Sequence, residues 1–226
     1  MSKQNNTRAG RCVIITSYLE GVLSQVYAPK SNDFIIAVDK GLELLTKNHL
    51  IPNLIMGDFD SYPDMLDKDI LAETLKSSGA QIIISEPEKD DTDTMLAIKK
   101  GIDLGYRDFL IVGGIGGRLD HTIANLQALS MCVDNGCNAW ISDGFNKATI
   151  TDASFFRLEK DEGFYFSLLP WSDICTGITI CNAKYLLENS TLTKNDPVGV
   201  SNEFLDGAAE IYMKNGRLLV ILSKDR

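Results

Sequence analysis

The hydrophobic pattern of the chain changes its period near residue 145, and this change constrains the fold more than any other feature. From Arg11 to about Asp143, short apolar runs bounded by turns alternate with longer segments of helical period, a pattern typical of βαβ units. Some runs, such as Phe-Leu-Ile-Val at 109–112, are apolar throughout, as a parallel sheet covered on both faces requires. We therefore predict an α/β fold that begins with a doubly wound, mostly parallel sheet.

The individual elements of this part follow from the same pattern. The predicted strands cover residues 12–16, 34–38, 54–56, 81–84, 109–112 and 139–141. The predicted helices cover residues 41–49, 62–77, 92–104 and 119–135.

The part of the chain after about Lys147 loses the helical period. Short β-rich runs follow at 155–158, 164–169, 177–181, 207–213 and 218–222. Asn215-Gly216 lies between the last two runs and predicts a tight turn, since Gly and Asn tolerate positive φ. We expect a smaller all-β antiparallel sandwich here, and we place the two domains at residues 1–145 and 146–226.

Composition excludes several classes of function. The 226 residues are 44% hydrophobic, which is ample for a buried core. The formal net charge of -9 leaves no basic field for a nucleic acid partner. The five cysteines are odd in number and form no CxxC pair. The sequence also shows no recognisable secretory leader and no apolar run long enough to span a bilayer. Together with the cysteines, these features predict a cytoplasmic protein without membrane contact.

The residues directly after the predicted strands are the candidates for chemistry, because ligands of open α/β sheets bind outside the carboxyl ends of the strands. The strand at 54–56 runs into Gly57-Asp58-Phe59-Asp60-Ser61. Carboxylates two positions apart in an extended segment point to the same side, so Asp58 and Asp60 can share one cation. The alternative is that Asp60 and Ser61 cap the next helix, which explains one acid but not both.

Three acids and two hydroxyls follow the next strand, in the segment Lys89-Asp90-Asp91-Thr92-Asp93-Thr94. Alone, this run is more typical of a capping cluster, because acids at a helix N-terminus complement the helix dipole. Beside Asp58 and Asp60, however, it brings four or five carboxylates to neighbouring strand ends, and a cation would relieve their repulsion. Oxygen ligands without His or Cys favour magnesium.

A glycine-rich segment, Gly113-Gly114-Ile115-Gly116-Gly117-Arg118-Leu119-Asp120-His121, follows the strand at 109–112 and opens a helix. Its glycines let the backbone approach a phosphate, which the helix N-terminus also favours. Arg118 is a planar, permanently charged partner for phosphate oxygens. The spacing matches neither a P-loop nor a dinucleotide-binding fingerprint. His121 at the helix start is more typical of local hydrogen bonding than of catalysis.

Taken together, these segments resemble the thiamine pyrophosphokinase family over both predicted domains. The family motifs are a GDFDS turn, a D-x-T-D element and a GGxGGRxDH segment with a following asparagine, found here at 57–61, 90–93, 113–121 and Asn125. The second part carries a K-Y-x-L-E-N run at 184–189 and an S-N-E turn at 201–203. One departure is Lys40 in Asp39-Lys40-Gly41, where relatives carry glycine, which puts close backbone approach to a ligand in doubt.

The resemblance implies transfer of the β,γ-diphosphate of ATP to the hydroxyl of thiamine, giving thiamine diphosphate and AMP with Mg²⁺. It also implies a homodimer with the active site at the subunit interface. The first domain would then bind ATP and magnesium, and the second would bind thiamine and mediate dimerisation.

The same resemblance, added to the strand-end pattern, assigns the site residues. Catalytic roles fall to Asp58, Asp60, Asp93, Arg118 and Asp120. Binding of ATP and its phosphates falls to Asp39, Lys89, Asp90, Thr92, Gly114, Gly116, Gly117 and Arg118. The magnesium ligands are Asp58, Asp60, Asp90 and Asp93. Thiamine binding falls to Tyr185, Ser201 and Asn202, although Tyr185 also fits a half-buried strand aromatic and the other two fit a plain turn.

The residues alone leave three other interpretations open. A metal-dependent phosphohydrolase would also use clustered aspartates, but the glycine-rich segment with Arg118 argues against it. A non-catalytic nucleotide or thiamine sensor could keep the fold, although all the carboxylates that chemistry needs are present. The acids could also form a solvated face, which their placement after strands disfavours.

Overall fold

The computed structural model describes residues 7–57, 79–84 and 91–225. The chain divides into two compact units, Met1–Gly144 and Phe145–Arg226, a division one residue from the predicted domain boundary. No helix among the described residues is long and apolar enough to cross a membrane.

The first unit contains a parallel sheet, as predicted. Its strands are β1 Cys12–Ile15, β2 Phe34–Val38, β3 Leu54–Gly57, β4 Gln81–Ile84, β5 Asp108–Val112 and β6 Asn138–Ser142. They lie in the order β4-β3-β2-β1-β5-β6, and each neighbouring pair is parallel. The order therefore reverses at β1, which has β2 on one side and β5 on the other. Such a switch point opens a crevice at the carboxyl ends of the strands.

The helices of the first unit also follow the predicted pattern where the structure describes them. They are α1 Leu23–Val26, α2 Gly41–Lys47, α3 Asp93–Asp103 and α4 Leu119–Asp134. Helix α1 escaped prediction because one turn is too short to show a helical period. The predicted helix at 62–77 lies outside the described residues.

The core explains why the strands read as continuous apolar runs. All four residues of β1 are fully buried. On one face, Val13 and Ile15 pack with Leu42 and Leu45 of α2 in one hydrophobic cluster. Both faces of the central strand thus exclude water, so neither can carry polar side chains.

The second unit is antiparallel, and the predicted two-part α/β fold is confirmed. Its strands are β7 Asn146–Thr151, β8 Phe155–Leu158, β9 Tyr165–Pro170, β10 Ile174–Cys181, β11 Leu187–Thr193, β12 Ala209–Tyr212 and β13 Leu218–Ser223. Strand β13 pairs with β7 and β9, while the other four lie in the order β11-β10-β12-β8. Strand β11 was missed because it buries only Leu192 and so shows no alternation. The pattern does not predict β7, because this strand begins where the hydrophobic period changes.

The turn predicted at Asn215-Gly216 joins two strands that do not pair with each other. Gly216 has a φ of +114°, so the chain does bend there. However, β12 pairs with β8 and β10, whereas β13 pairs with β7 and β9. Asn215 instead forms an isolated bridge with Thr176, so the turn passes the chain from one group of strands to the other.

Candidate active site

A cleft of about 380 Å³ opens in the first unit at the carboxyl ends of β1, β2 and β5. Its position at the switch point of the sheet is where a ligand of an open α/β fold is expected. The lining residues come from the strand ends and the starts of α3 and α4. They are Thr16, Ser17, Tyr18, Val38, Asp39, Thr92, Asp93, Thr94, Gly114, Gly116, Arg118, His121 and Asn125.

The glycine-rich turn between β5 and α4 has a backbone that only glycine adopts with ease. The φ angles of Gly113, Gly114, Gly116 and Gly117 are +84°, +74°, +91° and +62°, all in the left-handed region. Asn125, buried in α4, donates from Nδ2 to the carbonyl oxygen of Gly114 at 2.8 Å. This asparagine therefore fixes the turn to the helix that follows it.

Most of the glycine amides already have acceptors inside the protein. Gly113 N donates to Ser142 O at 2.8 Å and Gly114 N to Tyr18 O at 2.7 Å. Gly116 N donates to the hydroxyl of Thr122 at 3.1 Å. Three of these glycines, Gly114, Gly116 and Gly117, are predicted to bind phosphate. Among them, only Gly117 has a backbone amide without an acceptor in the described part of the chain. Gly114 and Gly116 thus shape the turn more than they offer donors.

Arg118 and Asp120 form an ion pair at the mouth of the cleft. The guanidinium donates from Nε to Asp120 Oδ1 at 3.1 Å and from Nη2 to Oδ2 at 2.5 Å. Both side chains are largely exposed, at 74% and 63%. The hydrogen bonds from Arg118 lower the pKa of Asp120 to about 2, because they stabilise the charged carboxylate. Arg118 lines the cleft, whereas Asp120 does not line it and accepts hydrogen bonds from the guanidinium of Arg118.

Two of the predicted carboxylates line the cleft together. Asp39 follows β2 and has a positive φ of 46°, a conformation that Asp tolerates better than most residues. Asp93 opens α3, and Thr92 caps that helix by accepting a hydrogen bond from Met95 N at 3.2 Å. The capping interpretation of Thr92 thus holds, and the residue lines the cleft as well.

The rest of the predicted metal set lies outside the described residues. These residues are Asp58, Asp60, Lys89 and Asp90. Within the described ranges no group of three or more His, Cys, Asp and Glu is arranged to hold a metal. The chemistry of the donors that are described, two carboxylates and threonine hydroxyls around one cleft, fits a hard cation such as Mg²⁺.

Gly57 shows why the strand before Asp58 ends in glycine. A Cβ atom at Gly57 would lie 2.2 Å from Oδ1 of Asp39, so a side chain there would displace the Asp39 carboxylate. The carboxylate of Asp39 therefore occupies the space that a side chain on Gly57 would need. The last residue of β3 and the first residue after β2 thereby meet at the cleft edge.

Lys40 departs from the resemblance without disturbing the backbone. It has an ordinary right-handed φ of -62° as the residue that precedes α2. The close approach belongs to Gly41, where a Cβ atom would lie 2.0 Å from Ile15 O. The glycine that the packing of α2 against β1 requires is therefore retained.

The predicted thiamine residues form one small cluster in the second unit. Asn202 is buried, and its Oδ1 accepts from the backbone amides of Tyr185 and Glu203, each at 2.9 Å. Its Nδ2 donates to Tyr185 O at 2.7 Å. Tyr185 is 58% exposed, and Ser201 is exposed with a φ of +58°. Asn202 thus holds the backbone of Tyr185 in place, while Tyr185 and Ser201 are both exposed.

Comparison with known families identifies both units. The family model described as thiamin pyrophosphokinase, catalytic domain, matches residues 27–144. The model described as thiamin pyrophosphokinase, vitamin B1 binding domain, matches residues 155–218. The chain belongs to the thiamine pyrophosphokinase family. This membership confirms the resemblance drawn from the motifs, and with it the predicted function and enzyme class of a diphosphotransferase.

Relatives of the family support the match along the whole chain. Thiamine pyrophosphokinase of Bacillus subtilis is 29% identical over 191 residues, which cover 84% of this chain and 87% of the relative. A crystal structure of the Bacillus subtilis enzyme superposes with a TM-score of 0.85, covering 96% of this chain and all of that one, at 26% identity. A family protein from Enterococcus faecalis gives a TM-score of 0.81 at 26% identity, with 96% and 100% covered.

Sequence reasoning missed the cleft residues at the end of β1. Thr16, Ser17 and Tyr18 line the cleft, but the apolar pattern makes Thr16 the last residue of the predicted strand. The rule that ligands bind beyond strand ends applies to β1 as it does to β3 and β5, so the signal was present. These residues also precede the part matched by the catalytic-domain model of thiamine pyrophosphokinases, which begins at residue 27.

Proposed function

We propose that this chain converts ATP and thiamine to AMP and thiamine diphosphate in a magnesium-dependent reaction, with the triphosphate bound in the cleft of the first unit. The observation that carries the proposal is the convergence on this cleft of Asp39, Asp93, Arg118 and the glycine-rich turn. A triphosphate needs cationic partners, and the chain as a whole has a net charge of -9. Binding must therefore depend on local positive charge and on a metal.

Arg118 is the described cation best placed for the phosphates. It lines the cleft directly before α4, whose N-terminus favours anions. Asp120 accepts two hydrogen bonds from the Arg118 guanidinium. These bonds orient the guanidinium, and its charge stays exposed. We assign Arg118 to charge stabilisation on the phosphates and Asp120 to positioning Arg118. Lys89, Thr92 and the Gly117 amide complete the phosphate-binding set.

Aspartates would hold the metal against the phosphates. We assign Asp58, Asp60, Asp90 and Asp93 as ligands, with Asp39 beside them at the same edge. When bound, Mg²⁺ neutralises phosphate charge and orients the triphosphate. The role assigned to the protein is to present these carboxylates at neighbouring strand ends, and Asp93 and Asp39 line the cleft.

The transfer itself requires little covalent chemistry from the protein. The hydroxyl oxygen of thiamine forms a bond to the β-phosphorus of ATP, and the bond from that phosphorus to the α,β-bridging oxygen breaks. AMP leaves with the bridging oxygen, and the hydroxyl proton passes to a carboxylate of the site. Arg118 stabilises the charge that develops on the phosphate oxygens.

Thiamine would bind at the second unit, and the active site would form between subunits. Tyr185 is exposed and could serve as a platform for a flat heterocycle. Ser201 lies exposed beside Asn202, whose two hydrogen bonds to the Tyr185 backbone form a clamp. Several apolar residues near Tyr185 and Ser201 in the sequence are also exposed. They are Leu186, Val198, Val200 and Leu205. We propose that a second copy of the chain covers them in a homodimer.

A cytoplasmic location is part of the same proposal. All five cysteines are free thiols, and Cys12, Cys132, Cys137 and Cys175 are buried. A chain that keeps every cysteine reduced is suited to a reducing compartment.

Product analysis tests the proposed reaction. The protein is incubated with ATP with and without thiamine, and with and without magnesium, while AMP and thiamine diphosphate are quantified. Equal amounts of both products, formed only when thiamine and magnesium are both present, are the expected result. ADP or free phosphate released without thiamine would instead assign the cleft to hydrolysis. Binding of both ligands without any product would make the chain a sensor.

A further inference from the structure

Tyr18 touches the glycine-rich turn with both its backbone and its ring. Its carbonyl oxygen accepts the hydrogen bond from Gly114 N at 2.7 Å. A Cβ atom at Gly113 would lie 2.1 Å from the same oxygen. The backbone after β1 therefore packs directly against the start of the turn, and this contact does not depend on the tyrosine side chain.

The ring of Tyr18 covers the other end of the turn. An ideal Cβ atom at Gly116 would lie 3.0 Å from Cε1, and one at Gly117 would lie 3.4 Å from Cε2. The two edges of the ring thus lie over two successive glycines, both with positive φ. The ring would crowd a Cβ atom at Gly116 and would make ordinary van der Waals contact with one at Gly117, so it restricts the part of the turn that has the greatest backbone freedom.

The phenol hydroxyl does not hold the ring in this position. Among the described residues the hydroxyl makes no hydrogen bond, and the side chain lines the cleft with the residue 42% exposed. The contact with Gly116 and Gly117 is therefore one of van der Waals packing. A phenylalanine ring would preserve it, whereas an alanine would not.

We propose that Tyr18 is a positioning residue whose ring holds the Gly116-Gly117 end of the turn in the conformation that receives the triphosphate of ATP. The inference rests on the proposed binding of ATP in this cleft. Gly117 carries the predicted phosphate-binding amide that has no acceptor in the described part of the protein, so its orientation matters most for a phosphate. Without the ring, ordering of this segment is deferred to nucleotide binding, which weakens affinity.

Steady-state kinetics of Tyr18→Ala and Tyr18→Phe test the inference. We expect Tyr18→Ala to raise the KM for ATP by about tenfold, the scale of ordering one further residue. The KM for thiamine and the melting temperature should stay close to those of the wild type. Tyr18→Phe should restore the KM for ATP. Tyr212→Ala is the matched control, because Tyr212 is 41% exposed and its ring packs in a tilted arrangement against Phe155 in the second unit. This variant should leave the KM for ATP unchanged.

Calorimetric binding of α,β-methylene ATP with magnesium separates this inference from the proposed function. The methylene group replaces the bridging oxygen of the bond that breaks, so binding is measured without turnover. If the wild type binds the analogue and Tyr18→Ala binds it about tenfold more weakly, the inference is supported. Equal affinity in the two proteins overturns the inference alone. No binding to the wild type overturns the proposed ATP site itself. If Tyr18→Ala does not fold, Tyr18→Leu replaces it with the same expectations.

Discussion

Arg118 and Asp120 are joined at two points, with Arg118 Nε 3.1 Å from Asp120 Oδ1 and a second hydrogen bond from Nη2 to Oδ2. Asp120 lies in the first turn of α4, and Arg118, the N-cap residue of that helix, lines the cleft. Exposed pairs contribute little to stability. The geometry of this one instead fixes the direction of a guanidinium that the phosphates of a nucleotide would meet.

Replacing Arg118 tests whether this guanidinium stabilises the transition state. We expect Arg118→Ala to lower kcat by about 100-fold or more, the usual effect of losing one group that stabilises developing charge. Arg118→Lys should recover only part of the activity, since lysine cannot make the two-point contact. Rates of AMP formation at saturating substrates provide the measurement. Unchanged turnover in Arg118→Ala would remove the residue from the mechanism.

The titration of Asp120 reports on the ion pair directly. Its pKa of about 2 lies below the value of about 3.9 expected for an unfolded aspartate. The pair therefore stabilises the folded chain above that unfolded value, and the contribution disappears as the pH falls toward 2. Carboxyl NMR should show the pKa of Asp120 rising toward 3.9 in Arg118→Gln, which removes the charge. A pKa that does not move would mean that the pair does not form in solution.

Removal of one carboxylate from the cleft should change the magnesium requirement. We expect Asp93→Asn to need a higher magnesium concentration for half-maximal activity, because one ligand charge is lost. Asp103→Asn is the control, since Asp103 is exposed at the other end of the same helix. A magnesium titration of AMP formation compares the three proteins. The ligand assignment fails if Asp93→Asn and the wild type have the same metal dependence.

The clamp between Asn202 and Tyr185 predicts an effect on stability. Asn202→Ala leaves the backbone amide of Tyr185 without its acceptor, which should lower the free energy of unfolding by roughly 1–3 kcal/mol. The exposed Asn195 offers a control, and Asn195→Ala should change the free energy by no more than about 0.5 kcal/mol. Urea denaturation of the three proteins measures both values. Equal stability of the two variants would contradict the clamp.

The hydrophobic pattern predicts the strands of the first unit better than those of the second. In the first unit, periodicity predicted both ends of each strand from β1 to β6 to within one residue. Strands buried on both faces carry a continuous apolar signal, which makes them easy to locate. In the second unit, β11 buries little and so carries no signal. The pairing across Asn215-Gly216 also could not be read, since a turn signal is local whereas the choice of strand partner depends on the whole sheet.

The cleft shows the same division. The motif residues that line it were found because glycines, aspartates and an arginine at strand ends carry their chemistry in their identity. The strand-end rule indicates the position of Tyr18, but its role depends on packing against Gly116 and Gly117, which lie about a hundred residues away in the chain, so this role could not be predicted. The internal acceptors of the glycine amides were likewise invisible, since hydrogen-bond partners such as Thr122 and Ser142 are set by the fold.

The fold class, the family and the chemical types at the site follow from periodicity and residue identity, which are local properties of the sequence. Which of these groups are available for a ligand depends on the tertiary structure. In the folded chain, Asn202 is hydrogen-bonded to the Tyr185 backbone and Arg118 to Asp120. The amide of Gly114 donates to the carbonyl oxygen of Tyr18. A buried or close-packed polar group must satisfy its hydrogen bonds with whatever the fold brings near it, and that choice is made by long-range contacts.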